Sequence, residues 1–184
     1  MNRIILTIVG VMLAVGVWGQ EFSVKPFELE FGAGMSAPLE SYRGGTIKPG
    51  GMFEVGLRYN FDEKPWDCGI FLMLDCARRD FDHRPDFNNY QNNRTAAFGV
   101  EGGYNFFQGA TVNPYVSAGL GVAKCEVVGN RIYYTNSTLP MAMVKGGVEL
   151  WRMVRVGGYM KFARRGYNSF GLTVSLVINA GKRE

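Results

Sequence analysis

The chain has 184 residues, and its 20 Lys and Arg against 16 Asp and Glu give a formal charge of +4. That charge is spread along the sequence, with no basic run long enough to mark a nucleic-acid surface. The length suits one domain; glycine (25 residues) is about twice as frequent as usual, charged residues (20%) are somewhat scarce, and no long helical membrane span dominates.

The first element is a targeting segment. Arg3 gives a short positive start to "IILTIVGVMLAVGV", an apolar run from Ile4 to Val17. A helix needs about 20 such residues to cross a bilayer, so this run is too short to remain as an anchor. Gly19, with Val17 two residues before it, suits a cleavage point. The expected division is a signal peptide over 1–19 and one domain over 20–184. No Cys lies near residue 20, which argues against lipoprotein processing. The mature chain is therefore expected to begin near Gln20 or Glu21; mass spectrometry of the envelope form checks this, and an intact Met1 would contradict it.

Eight segments of alternating character follow, roughly 27–35, 51–60, 68–77, 95–106, 114–123, 141–150, 154–163 and 169–178. Each is about the length that crosses a bilayer as a tilted strand. In the first, Phe27, Leu29, Phe31, Ala33 and Met35 oppose Glu28, Glu30, Gly32 and Gly34. In the second, Phe53, Val55, Leu57 and Tyr59 oppose Glu54, Gly56, Arg58 and Asn60. The fourth contains "AAFGVEGGYNFF", with Phe98, Val100, Tyr104 and Phe106 on one face and Gly99, Glu101, Gly103 and Asn105 on the other. The seventh sets Val154, Val156, Gly158, Met160 and Phe162 against Arg155, Gly157, Tyr159 and Lys161. In the eighth, Phe170, Leu172, Val174, Leu176 and Ile178 oppose Ser169, Gly171, Thr173, Ser175 and Val177.

Connections after the first, third and fifth segments are long, at about 36–50, 78–94 and 124–140. Those after the second, fourth and sixth are short: "FDEKPWD", "FQGATVN" and "WRM". This alternation marks outer-membrane barrels, although "RRGYN" at 164–168 is shorter than a long-side loop should be. Tyr59, Phe61, Trp66, Tyr104, Phe106 and Trp151 fall at the short-turn end, where aromatic rings form an interfacial girdle.

The composition of the two faces decides which is inside. A water-facing sheet surface would carry Lys, Glu and Thr, whereas the polar face here is mostly Gly, Ser, Ala, Asn and Tyr with scattered charges. Small residues suit a crowded barrel lumen. Its charges are of both signs and can pair: Glu28, Glu30, Glu54, Asp75, Glu101 and Glu149 against Arg58, Lys145, Arg155 and Lys161. The apolar faces, nearly free of charge, are left to lipid. One lumen pair follows from register. A three-residue connection of Trp151, Arg152 and Met153 sets Leu150 opposite Val154, and Glu149 then faces Arg155; a two-residue turn would throw one apolar face into the lumen.

Signal peptide, Gly-rich amphipathic strands and the strand ends "GLRYNF" (56–61) and "GGYNFF" (102–107) make the chain similar to the small eight-stranded outer-membrane barrels of the OmpA/OmpX type. Among these it most resembles the "outer membrane protein beta-barrel domain" proteins common in Bacteroidota. The resemblance covers residues 21–184 and implies an all-β, eight-stranded antiparallel up-and-down transmembrane β-barrel in a Gram-negative outer membrane. Such proteins often end on an aromatic residue; this one ends "LVINAGKRE", which implies an atypical insertion signal.

Catalytic candidates are sparse. The single His83 lies in "RDFDHRPDF" between Asp82 and Asp86, with no Ser nearby to complete a hydrolase pair. Cys68, Cys76 and Cys125 are an odd number. Cys68 and Cys76 sit eight residues apart on one strand, too far to bridge. All three are expected to be free, and no cofactor or metal site is expected. The expected function is a non-enzymatic structural or interaction barrel in contact with outer-membrane lipid and lipopolysaccharide, with an envelope protein as a further partner and no nucleic acid. The alternatives are a secreted lipocalin-like ligand-binding barrel and a barrel subunit of a secretion or envelope complex.

Overall fold

The computed structural model describes residues 24–39, 46–62, 64–81, 89–129, 135–164 and 166–181. The stretch expected to be a signal peptide, 1–19, and the residues Asp82, His83 and Asp86 lie outside the described residues. The described residues form nine strands in chain order: β1 (Phe27–Pro38), β2 (Thr46–Lys48), β3 (Gly50–Asn60), β4 (Trp66–Phe81), β5 (Asn89–Asn105), β6 (Val112–Gly129), β7 (Thr135–Leu150), β8 (Val154–Phe162) and β9 (Ser169–Ala180). Every pairing is antiparallel between neighbours, and β1 pairs with both β3 and β9, so the sheet closes on itself.

The walls number eight, because β2 and β3 are two parts of one bulged strand. Lys48 pairs with Arg78 and Met52 with Asp75, so four steps on one strand oppose three on β4. Pro49, which has no N–H to give the ladder, falls in the extra step, where a bulge can hold it.

The two periods of the sequence become two surfaces. On β9, Phe170, Leu172, Val174, Leu176 and Ile178 are exposed, Leu172 at 72%, while Ser169, Ser175 and Val177 are buried. On β5, Phe98 and Val100 point outward and Ala97, Glu101 and Asn105 inward. A large apolar surface left exposed is stable only against lipid or a partner. It encircles the barrel, and at the level of this band each strand is paired on both sides, as closure against a bilayer requires.

Two expectations are corrected here. The stretches 78–94 and 124–140 are not loops throughout. The β4–β5 ladder runs on to Phe81 opposite Asn89, and the β6–β7 ladder to Val127 opposite Thr135. Above the apolar band a strand needs only its ladder, so alternation stops before pairing does. The 18 residues of β6, tilted about 40° at about 3.3 Å each, rise roughly 45 Å, against an apolar band about 25 Å tall. The central strands β4 to β7 thus form a wall taller than β1, β3, β8 and β9.

The lumen is also less polar than its face composition suggests. Phe71, Met73, Met141 and Met143 are buried inside it with Met52, Cys125 and Tyr159. In β4 the run Ile70 to Leu74 is apolar on both faces, so alternation is invisible there. Flexible Met side chains fill the irregular space.

Glycine makes room for the Phe71 ring. A Cβ built on Gly99 would stand 2.8 Å from Phe71 Cζ, and one on Gly119 would stand 2.9 Å from Cε1. Gly99→Ala should therefore force the ring or the strand to shift and cost about 1–3 kcal/mol of stability. Urea unfolding in vesicles measures this; an unchanged midpoint would mean the ring has spare room.

Candidate functional site

β7 and β8 are joined by Trp151, Arg152 and Met153. Both Trp151 (φ 51°) and Arg152 (φ 59°) are left-handed, which lets a three-residue turn close the hairpin. The turn sets Leu150 opposite Val154 and Glu149 opposite Arg155. Arg155 is only 1% exposed. Its Nε donates to Glu149 Oε2 at 2.5 Å and its Nη2 to Glu28 Oε2 at 2.9 Å, while Nη1 lies 3.5 Å from Glu30 Oε2. The guanidinium also stands 4.9 Å from the centre of the Tyr115 ring, a cation–π distance.

From this hub, charges of alternating sign cross the lumen. Glu30 pairs with Arg58, and Arg58 Nε lies 3.8 Å from Glu101 Oε1. Glu101 Oε2 is 2.9 Å from Lys145 Nζ, which also pairs with Glu54. Lys145 Nζ sits 5.4 Å from the centre of the Phe71 ring. A second cluster lies toward the long-loop end, where Lys161 Nζ donates to both Asp75 oxygens at 2.6 and 2.8 Å. Ser36 and Ser169 add hydroxyl donors to Asp75 Oδ2 at 3.1 and 2.8 Å.

The lumen charges read from strand faces thus meet one another; parity reveals the face but not the partners. Asp67, which the expected segment limits put in the turn before Cys68, belongs to the lumen: it is buried and accepts from Asn105 Nδ2 at 2.7 Å. Its shared parity with Asp75 was the available signal.

The six aromatic candidates stand at the short-turn end. Tyr59 and Phe61 meet edge-on at 5.5 Å, and Phe27, a seventh ring at this end, meets Tyr59 at 5.4 Å. Trp66 and Tyr104 pair at 4.8 Å, and Tyr104 and Phe106 at 5.1 Å. Trp151 stands on the β7–β8 turn, 66% exposed. The three cysteines are free: Cys68 is exposed, Cys76 half-buried and Cys125 buried. Among the described residues, no group of three or more His, Cys, Asp or Glu side chains is placed to hold a metal ion.

A closed eight-stranded antiparallel ring, apolar outside and filled with paired charges inside, defines a transmembrane β-barrel of the outer-membrane type. The sequence matches the family "Outer membrane protein beta-barrel domain" over residues 9–150, and the chain belongs to that family. Its location is the outer membrane of a Gram-negative bacterium. Among solved structures the chain is similar to Neisserial surface protein A (NspA): 13% identity, 84% of this chain and 97% of that one covered, TM-score 0.58. It is also similar to the Yersinia pestis outer membrane protein Ail in a phospholipid bilayer nanodisc: 13% identity, 82% and 99% covered, TM-score 0.50. The outer membrane enzyme PagL matches at 13% identity, 81% and 99% covered, TM-score 0.45. No curated protein matches the chain. Likeness at this identity establishes the fold, and fold alone does not assign a function.

Proposed function

We propose that the protein is a non-enzymatic, non-conducting barrel with a structural or interaction role in the outer membrane. The observation that carries this reading is the lumen itself. Arg155, Arg58, Lys145 and Lys161 are each tied to carboxylates from other strands, and Phe71 with its methionines fills the space between the two charge clusters. Eight strands leave an interior that side chains just fill. The short-turn end is periplasmic and carries the aromatic girdle of Tyr59, Phe61, Trp66, Tyr104, Phe106 and Trp151 as membrane anchors. The tall wall of β4 to β7 then stands outside the cell, where it meets lipopolysaccharide or an envelope partner.

The test joins conductance with genetics. The purified barrel should give no porin-scale current in planar bilayers. A deletion strain's resistance to detergent should be restored equally by wild type and by His83→Ala. A large stable current would contradict the filled lumen. Failure of His83→Ala alone, with normal insertion, would instead favour a barrel enzyme.

A further inference from the structure

A groove of about 550 Å³ runs along the outside of the barrel at the top of the apolar belt, between β3 and β6. Its volume lies within the range of small-molecule sites, about 300–1,000 Å³. Register places its parts. Cys76, Arg94 and Glu126 form one row across β4, β5 and β6, and Leu74, Ala96 and Lys124 form the row below. Phe53 pairs with Leu74 at the β3 side. The next outward row down is Leu72, Phe98 and Val122, all exposed and apolar. The groove therefore has a floor of small residues (Gly51, Cys76 and Ala96), an apolar wall of Phe53 and Leu74, and two exposed cations at its rim, Arg94 and Lys124.

We propose that this groove binds one lipopolysaccharide molecule, with a lipid A phosphate held between Arg94 and Lys124 and an acyl chain laid over Ala96 and against Phe53 and Leu74. The arrangement is amphiphilic in the order such a lipid demands, apolar belt below and cations immediately above. Glu126 is the competing anion, with its Oε1 3.6 Å from Lys124 Nζ and both side chains well exposed. An exposed pair of this kind is weak. A phosphate monoester brings about −1.5 to −2 charge and several acceptor oxygens to the same cations, and Arg94 receives it bidentately. The choice of lipopolysaccharide over phospholipid rests on the orientation proposed above, which puts this end in the outer leaflet.

Native mass spectrometry of the full-length folded barrel in detergent tests the site, with three probes: bisphosphorylated lipid A, the same lipid dephosphorylated, and phosphatidylglycerol. Wild type should retain bisphosphorylated lipid A about tenfold better than either other probe, as loss of a charge-assisted phosphate contact implies. The double variant Arg94→Gln/Lys124→Gln should lose that preference. Ala96→Phe, which fills the floor, should weaken all three probes. Lys64→Gln at the opposite end should match wild type. Heat-modifiable gel mobility confirms that each variant is folded. Equal retention of phosphatidylglycerol overturns the assignment to lipopolysaccharide, and an unchanged double variant overturns the groove. An epitope inserted at 84–85 and stained on intact cells reads orientation separately. Absent staining with lipid A preference intact would sink the orientation and the choice of lipopolysaccharide with it, but not the phosphate site. Clear staining with no lipid A preference would sink the groove alone.

Discussion

Arg155→Ala should cost the barrel about 3–5 kcal/mol, because it strips the cation from a buried group of three carboxylates. Glu149, Glu28 and Glu30 all lie within 3.5 Å of the guanidinium. Of the charged lumen side chains described, Glu28, Glu30, Glu54, Asp67, Asp75, Glu101 and Glu149 already outnumber Arg58, Lys145, Arg155 and Lys161. The other lumen cations described are already engaged with carboxylates. Arg155→Lys should recover only part of the loss, since an ammonium cannot present the planar fork that reaches several carboxylates at once. Neutralising both sides is the sharper comparison. Arg155→Met combined with Glu149→Gln should be less damaging than the sum of the two single changes, with coupling of about 0.5–3 kcal/mol. Unfolding in lipid vesicles by urea measures each corner of the cycle. Strict additivity would mean that the short Glu149–Arg155 contact contributes nothing of its own.

Val174→Arg should impair insertion far more than Thr173→Arg. Val174 lies at the middle of β9, 57% exposed, and pairs with Ala33 and Val156 on the neighbouring strands. An Arg at the midplane of the lipid face costs about 2–4 kcal/mol. Thr173 faces the other way, between Gly34 and Gly157. A longer side chain there meets crowding, but its charge enters a lumen that is rich in carboxylates. Folding yield into vesicles, read by gel mobility before and after heating, should rank wild type first, Thr173→Arg next and Val174→Arg last. The reverse order of the two variants would mean that inside and outside are exchanged.

The fold was legible where the two strand faces differ in chemistry. β9 and β3 declare their orientation at every residue, because serine, glycine and charge alternate with large apolar side chains. β4 does so only at its ends, through Asp67 and Asp75, since Ile70 to Leu74 offer nothing polar to either side. The tall hairpins were not legible, because strand pairing above the membrane is carried by backbone hydrogen bonds that ask little of side-chain pattern. The β2–β3 bulge was equally hidden: a lone Pro49 reads as a loop residue until its ladder is seen. For the lumen, parity and one turn length were enough to place Glu149 opposite Arg155. The reach of Arg155 to Glu28 and Glu30 depends instead on ring closure, which seats β9 between β8 and β1 and so brings together residues 127 apart in the chain. No local pattern encodes that distance. The outer groove is likewise a product of register, since Gly51, Ala96 and Lys124 come from three different strands.

The central claim is that the exposed apolar face meets lipid and the charged, methionine-lined face does not. Methyl-labelled protein in lipid nanodiscs tests it directly, through nuclear Overhauser contacts between side-chain methyls and lipid acyl protons. Leu72, Leu120, Leu172 and Val174 should show strong acyl contacts, while Met73, Met141 and Met143 should show none. Acyl contacts at the three methionines, with the leucines silent, would contradict the account.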